Sequence, residues 1–216
     1  KNYAYGILRD VTEASPDRIK NDCPAFLRCG GCSYRHISYE AELQEKQNAV
    51  CRNILKFSGQ TPEFLPILPS PIVDGYRNKA QYPVRRGENG EIRIGFYAKR
   101  SHRIISCDFC ALQPQVFGQI ATTVKEWMTE NEVQPYDEMT GKGTVRHLYL
   151  RISGRGDIMV CPVVNSNALP QTDSFINAIT SRYPAVQSIV LNINRQNSNV
   201  ILGDTCKTLW GQSFIE

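Results

Sequence analysis

Three of the eight cysteines lie within ten residues, at a spacing suited to metal binding. Cys23, Cys29 and Cys32 form a C-x5-C-x2-C segment with two glycines between the last two thiols. Thiolates are the ligands of iron–sulfur clusters and of zinc, and glycines let a backbone fold closely around an ion. A fourth ligand must come from a distant segment, where Cys107 and Cys110 are the candidates. The segment therefore predicts a thiolate-liganded centre.

Disulfides and zinc are the alternatives to an iron–sulfur cluster. Residues 1–10 lack the apolar core of a signal peptide, and 216 residues can bury a core without disulfides. Zinc ligands usually come in two close pairs, whereas here three thiols lie together and one lies far away. This layout favours a cluster, although spacing alone does not decide between the two. We expect Cys51, Cys161 and Cys206 to be small buried side chains.

Basic residues are concentrated in one part of the chain. The whole sequence carries a formal charge of +4, but residues 77–103 alone carry +6, so the remainder is slightly acidic. Tyr82, Phe96 and Tyr97 are interspersed among these basic residues. Lys and Arg neutralise phosphates, and aromatic rings stack on unpaired bases. The composition predicts a nucleic-acid-binding surface; the alternative is a solvated basic hairpin.

The composition is that of a folded protein, with 41% hydrophobic and 21% charged residues. No apolar run reaches the ~18 residues of a membrane span. Helical spacing of apolar residues predicts a helix at Tyr39–Phe57, followed by Gly59 as the residue after its C-terminus. Four prolines in Thr61–Pro71 predict an extended connector and a domain boundary.

The remaining pattern is one of hairpins separated by helices. Helices are predicted around Val116–Trp127 and Asp173–Tyr183, and Pro83 suggests that its strand lies at a sheet edge. The predicted strands are Tyr3–Val11, Arg77–Arg85, Glu91–Tyr97, His102–Ser106, Val145–Ile152, Asp157–Val164, Ser188–Ile193 and Val200–Leu202. This order predicts an α+β fold, with an antiparallel or mixed sheet and helices on one side. No G-x-G-x-x-G segment follows a strand, so no nucleotide-binding loop is predicted.

Several segments together resemble one known family. The cysteine segment followed by His36-Ile37-Ser38-Tyr39 is similar to the iron–sulfur loop of bacterial RNA uracil-5 methyltransferases. These enzymes methylate C5 of uridine in 23S ribosomal RNA or in the T-loop of transfer RNA. Further similar segments are Gly75–Gln81, Gly95–Tyr97, Ser101–His102, Cys110–Gln113, Val145–Leu148, Asn192–Asn194 and Asn199–Gly203. The similarity runs in order across essentially all 216 residues.

The resemblance implies a cofactor and a domain organisation. Cys23, Cys29, Cys32 and Cys110 take the positions of the four [4Fe–4S] ligands, with Cys107 as an adjacent extra cysteine. The cluster is expected to be structural and easily lost to oxygen. The implied domains are the end of an RNA-binding β-barrel at 1–20, the iron–sulfur loop and helix at 21–60, and a central α+β domain at 66–216.

The resemblance also implies that catalysis belongs to a longer parent enzyme. The family's S-adenosylmethionine-binding domain has no counterpart among these residues, so we assign no catalytic residue here. The expected partner is RNA, with 23S ribosomal RNA favoured over transfer RNA, in a cytoplasmic monomer without membrane association. The predicted RNA-binding residues are Arg77, Lys79, Tyr82, Arg85, Phe96, Tyr97, Lys99 and Arg100. Arg146 and His147 are weaker candidates and are left out of this set. The alternative function is a stand-alone nucleic-acid-binding module stabilised by zinc.

Overall fold

The computed structural model describes Ala4, residues 6–106 and residues 108–216. Contacts divide the chain into two compact units. The first contains the described residues up to Asp22 together with Cys32–Pro71, and the second contains Cys23–Gly31 together with Ile72–Glu216. The division at Pro71 falls at the end of the four-proline segment, and residues 23–31 group with the second unit rather than with the long helix.

The first unit is built around helix α1, Tyr39–Ser58. Its start is fixed by Ser38, whose side chain accepts a hydrogen bond from the backbone N–H of Ala41 at 3.2 Å. It ends at Gly59, which has a left-handed φ of +64°, as the sequence predicted. None of the residues of α1 is buried within the described structure.

The proline-rich connector runs along α1. The hydroxyl of Tyr39 accepts a hydrogen bond from the backbone N–H of Ser70 at 2.8 Å, and the amide of Gln47 donates to the carbonyl of Leu65 at 3.0 Å. The prediction of a strand at Tyr3–Val11 is wrong for residues 6–11, which form no strand. Tyr3 and Tyr5 lie outside the described residues.

The second unit contains a seven-stranded sheet in the order β3-β2-β1-β4-β5-β6-β7. The strands are β1 Lys79–Arg86, β2 Ile92–Tyr97, β3 Ile104–Ser106, β4 Val145–Ile152, β5 Ile158–Val164, β6 Val186–Ile193 and β7 Thr205–Gly211. Among the seven described strands, only β5 and β6 pair in parallel, and helix α3, Thr172–Thr180, makes the crossover between them. The predicted α+β fold with a mixed sheet is confirmed.

Helices α3 and α2, Gln115–Glu130, cover one face of this sheet. Trp127 of α2 and Phe175 of α3 meet edge to face, with ring centroids 4.8 Å apart. On β1, Ala80, Tyr82 and Val84 point into the same core. Because strand side chains alternate between faces, Gln81, Pro83 and Arg85 lie on the face opposite the helices. No described helix combines the length and apolar character needed to cross a membrane.

The expectation that Pro83 marks a sheet edge is wrong, since β1 lies between β2 and β4. Residues 79–83 of β1 pair with β4, whereas residues 84–86 pair with β2. Pro83 is therefore the last residue of β1 that pairs with β4. Proline has no backbone N–H, but β1 does not pair with β2 at this residue, so no hydrogen bond to β2 is lost.

The predicted strand at Val200–Leu202 is also wrong, because these residues form an irregular loop. The amide of Asn194 donates to the carbonyls of Val200 and Ile201 at 2.7 and 3.0 Å, and the amide of Asn192 donates to the carbonyl of Gly203 at 2.9 Å. These side chains satisfy backbone groups that a strand would otherwise pair. The strand that pairs with β6 is β7, a few residues later.

Candidate nucleic-acid interface

A pocket of about 350 Å³ lies on the sheet face opposite the helices. Its floor includes Gln81 and Pro83 of β1 and His147 of β4, and Pro83 and His147 are register partners. Phe96 and Tyr97 of β2 add aromatic surface. The loop after β6 contributes Ser198, Asn199 and Ile201, and Glu138 contributes a carboxylate. The pocket therefore combines aromatic rings with amide, hydroxyl, imidazole and carboxylate groups.

A second, more open pocket of about 440 Å³ adjoins the first, sharing Gln81 and Phe96. Its lining includes Tyr76–Lys79, the segment that precedes and begins β1. Two backbone hydrogen bonds hold this segment, from Gly75 to the carbonyl of Ala111 at 2.7 Å and from Arg77 to the carbonyl of Leu112 at 3.0 Å. The two pockets form a continuous polar and aromatic surface bordered by basic side chains.

Four predicted phosphate-contacting residues lie at or near the surface. Lys79, Lys99 and Arg100 are exposed, and Arg77 is half-buried. Arg100 has a left-handed φ of +56° in the turn between β2 and β3, a conformation that is uncommon for a residue with a side chain. These positions suit contact with a phosphate backbone, which remains a prediction.

The structure places Arg85 in an internal ion pair. Its guanidinium contacts the carboxylate of Glu138 and donates to the carbonyl of Tyr136 at 3.3 Å and to the hydroxyl of Tyr97 at 3.4 Å. Burial raises the pKa of Tyr97, so its phenol stays protonated at neutral pH. Arg85 therefore orients the pocket wall, and Glu138 already balances its charge.

Tyr82 lies in the core, with 1% of its surface exposed. Its hydroxyl donates to the side-chain oxygen of Gln113 at 2.5 Å, and its ring meets Phe96 edge to face at 5.2 Å. In this conformation the ring cannot stack on a base. We therefore leave Tyr82 out of the proposed RNA-binding residues and keep Phe96 and Tyr97.

Two residues outside the predicted set shape the site: His147 lines the first pocket, and Arg146 anchors the loop beside it. Arg146 is 1% exposed, and its guanidinium donates to the carbonyls of Asn194 and Gln196 at 2.9 and 2.7 Å. It also lies over the ring of Tyr136, 4.8 Å from the centroid. Arg146 thus fixes the start of the loop that carries Ser198 and Asn199 to the pocket.

His147 is 7% exposed, and its Nδ1 has no hydrogen-bond partner within the described part of the chain. Burial, with the positive charges of Arg85 and Arg146, lowers the pKa of His147 to about 4. The imidazole is therefore neutral at pH 7, with one donor and one acceptor nitrogen. The pairing of β4 with β5 is irregular between Val145 and His147. No alternation of apolar and polar residues in the sequence indicates this irregularity.

The cysteine segment of the second unit is attached to the end of β2. The backbone N–H of Cys29 donates to the carbonyl of Ala25 at 2.7 Å, and Cys29 forms an isolated β-bridge with Ala98. A β-carbon added at Gly30 would lie 3.2 Å from the Cα of Lys99. A larger residue at this position would press on the backbone of Lys99, and the approach places the segment beside the basic turn between β2 and β3.

The four predicted cluster ligands are all half-buried, with Cys23, Cys29 and Cys110 in the second unit and Cys32 in the first. Among the described residues, no group of three His, Cys, Asp or Glu side chains is arranged to hold a metal ion. Cys107 lies outside the described residues. The thiol donors fit an iron–sulfur cluster or zinc by their chemistry.

The other cysteines differ from one another. Cys161 is buried in β5, as expected, and burial raises the pKa of its thiol to about 12. Cys51 is half-buried on α1. Cys206 is exposed on β7, so the expectation that it is a buried small side chain is wrong.

Comparison with known proteins gives a consistent result, although no family model matches the chain. An uncharacterized RNA methyltransferase of Halalkalibacterium halodurans is 40% identical over 218 residues, covering 100% of this chain and 47% of that protein. One from Oceanobacillus iheyensis is 38% identical, again with 100% and 47% coverage. The crystal structure of Pyrococcus abyssi tRNA (uracil-54, C5)-methyltransferase with S-adenosyl-L-homocysteine is similar, with a TM-score of 0.71 and 25% identity over 95% of this chain and 44% of that one. The chain is a relative of the RNA uracil-5 methyltransferases.

This methyltransferase relative spans about half the length of the curated proteins it matches. The resemblance read from the cysteine loop and the Gly-Tyr-Arg-Asn-Lys segment is thereby confirmed. The fold likeness extends over 95% of this chain.

Proposed function

We propose that the chain is the RNA-binding portion of an S-adenosylmethionine-dependent methyltransferase that makes 5-methyluridine in RNA. The observation that carries this proposal is the pair of adjoining pockets bordered by Arg77 and Lys79, in a chain related throughout to RNA methyltransferases. Because those relatives are about twice as long, we assign methyl transfer to regions of such proteins that this chain does not match. We place the protein in the cytoplasm as a monomer.

The surface has a physical role in such a reaction. A uracil must leave its stack before C5 can react, which costs a few kcal/mol. Phosphate contacts from Arg77, Lys79, Lys99 and Arg100, and stacking on Phe96 or Tyr97, offset that cost by holding the neighbouring nucleotides. We favour ribosomal RNA as the substrate because the cysteine loop resembles that of the 23S enzymes, and transfer RNA is the direct competitor.

We expect the double variant Arg77→Ala with Lys79→Ala to bind a uridine-loop stem-loop RNA about tenfold more weakly at low salt. Each lost phosphate contact removes counterion release, so the slope of log K against log salt should fall by about 0.7 per contact on a single strand. Fluorescence anisotropy over a salt series measures both quantities, with ribosomal and transfer RNA stem-loops compared directly.

The matched control for this measurement is Lys125→Ala with Arg155→Ala. Both side chains are exposed, and neither is among the described residues that line the two pockets. This control should bind RNA as the wild type does. Binding that is indifferent to salt, or equal in the two double variants, would contradict the proposal.

We further propose that Cys23, Cys29, Cys32 and Cys110 hold a [4Fe–4S] cluster. The support is the chemistry of the four half-buried thiols and the attachment of the Cys29 loop to β2. Cys32 follows Cys29 by three residues and so stays within reach along the chain. When bound, the cluster would be structural, because methyl transfer moves no net electrons. It would tie the cysteine loop to the segment that carries Cys110.

Anaerobic purification is expected to yield iron and sulfide in equal amounts, with the broad visible absorbance of an iron–sulfur centre. Cys29→Ala should lose most of the iron because it removes one of four ligands. Cys206→Ala, an exposed thiol on β7, should retain it. If protein purified without oxygen contains zinc and no iron, the cluster proposal is wrong. A zinc site would favour the alternative function, a stand-alone nucleic-acid-binding module.

A further inference from the structure

We infer that the 350 Å³ pocket binds one unpaired nucleobase of RNA, with His147, Gln81 and Asn199 contacting its polar edge. This inference rests on the proposed function and extends it, since phosphate contacts alone carry no sequence information. It gives the chain a specific site for a base, separate from the basic border that we propose holds the RNA backbone.

The pocket has the surface that a base requires. Unpaired bases in protein–RNA complexes stack on aromatic rings and use hydrogen bonds along their edges. Phe96 and Tyr97 supply aromatic surface, and the ring of His102 lies 5.5 Å from that of Tyr97. Ile201 adds an apolar contact from the loop after β6.

The polar side chains of the pocket have unused hydrogen-bonding capacity. The Nδ1 of His147 is buried without a partner in the part of the chain that the structure describes, whereas buried polar atoms are nearly always bonded. Among the described residues, the carboxamides of Gln81 and Asn199 form no hydrogen bond. A neutral imidazole and two carboxamides together offer donors and acceptors, which match the mixed edge of a base.

Hydrogen bonds hold the backbone of the loop that carries Asn199 in place before any ligand binds. Arg146 anchors the backbone at Asn194 and Gln196, and the side-chain oxygen of Asn194 accepts the N–H of Gln196 at 3.0 Å. The positive groups facing His147 are Arg85, which is paired with Glu138, and Arg146, which is bound to carbonyls. A fixed wall reduces the entropy cost of binding.

The charge pattern favours a base over a phosphate in this pocket. The carboxylate of Glu138 is part of its lining and would repel an anion. Arg85 is already paired with that carboxylate. The adjoining pocket is lined by Arg77 and Lys79, its described lining contains no carboxylate, and it therefore suits the phosphate backbone.

The test is an abasic scan of the same stem-loop RNA, with one loop base removed at a time. Stacking and edge contacts to one base are worth about tenfold in affinity. Wild-type chain should lose about tenfold at one loop position, and Gln81→Ala with Asn199→Ala should bind every abasic RNA about equally. Asn199→Ala alone changes an exposed side chain and should lose part of the discrimination with the fold intact.

The matched control is Gln119→Ala with Asn197→Ala, two exposed amides of which Asn197 lies in the same loop. It should keep the wild-type abasic profile. A flat profile in the wild type, or an unchanged profile in the Gln81 and Asn199 variant, would overturn the base pocket. If either of these results is found while RNA binding still depends on salt, only the base pocket is overturned and the RNA-binding proposal stands. If the wild type shows no salt-dependent binding at all, both proposals are overturned.

Discussion

Replacing Arg146 with alanine is expected to lower the free energy of unfolding by about 3 kcal/mol. The guanidinium is 1% exposed and satisfies the carbonyls of Asn194 and Gln196. No carboxylate pairs with it among the described residues, so its removal also relieves a desolvated charge. The lost packing on Tyr136 and the two carbonyls left without a donor outweigh that relief. Urea denaturation followed by circular dichroism measures the change.

Two further variants separate the contributions at this position. Arg151→Ala removes an exposed arginine from the same strand and should change the stability by less than about 0.5 kcal/mol. Arg146→Met keeps much of the side-chain volume without the donors, and its loss should lie between those of the other two variants. If Arg146→Ala is as stable as Arg151→Ala, the loop after β6 is not anchored by the guanidinium.

The substitution Gly95→Ala is expected to cost about 3 kcal/mol by forcing β2 away from β3. A β-carbon at this position would lie 2.1 Å from the carbonyl oxygen and 2.9 Å from the carbonyl carbon of Ile105. Both contacts are with backbone, so no side-chain rotation relieves them. Gly95 is the register partner of Ser106, so the pairing of β2 with β3 must be distorted to make room for the β-carbon.

Gly154→Ala is the control, because a β-carbon there meets no atom within 4 Å. The two variants should differ by many degrees in thermal melting. RNA affinity should fall for Gly95→Ala as well, since the same strand positions Phe96 and leads into the turn with Lys99. Equal melting temperatures would show that the close approach at Ile105 is not a constraint.

Local patterns predicted most of the fold, and long-range contacts explain the errors. Helix α1 carries its own cap residues, Ser38 and Gly59, so its ends follow from neighbouring residues. Pro83 suggests an edge strand because no neighbouring residue indicates that β1 changes partner there. The apolar pattern predicts the last strand at Val200–Leu202 rather than at β7, because it does not show that the amides of Asn192 and Asn194 hold residues 200–203 in a loop.

The sequence predicts those residues of the candidate site whose role requires only that their side chains be exposed. The exposed positions of Lys79, Lys99 and Arg100 agree with the basic run. Tyr82 shares a strand face with Ala80 and Val84, so the twofold alternation of β1 already indicated burial. His147 gave no such signal, because its place in the pocket depends on an irregularity in β4 and on pairing with β1.

The strand order has a consequence for the path of folding. Most neighbouring strands are close in sequence, whereas β1 and β4 pair residues as far apart as Lys79 and Arg151. Closing so long a loop carries the largest entropy cost, so we expect this pairing to follow the local hairpins. Gln81 of β1 and His147 of β4 come together only when these two strands pair. The chain would then be able to bind a base only after the last cooperative step of folding. Bound RNA would slow the unfolding of the whole sheet rather than the fraying of single strands.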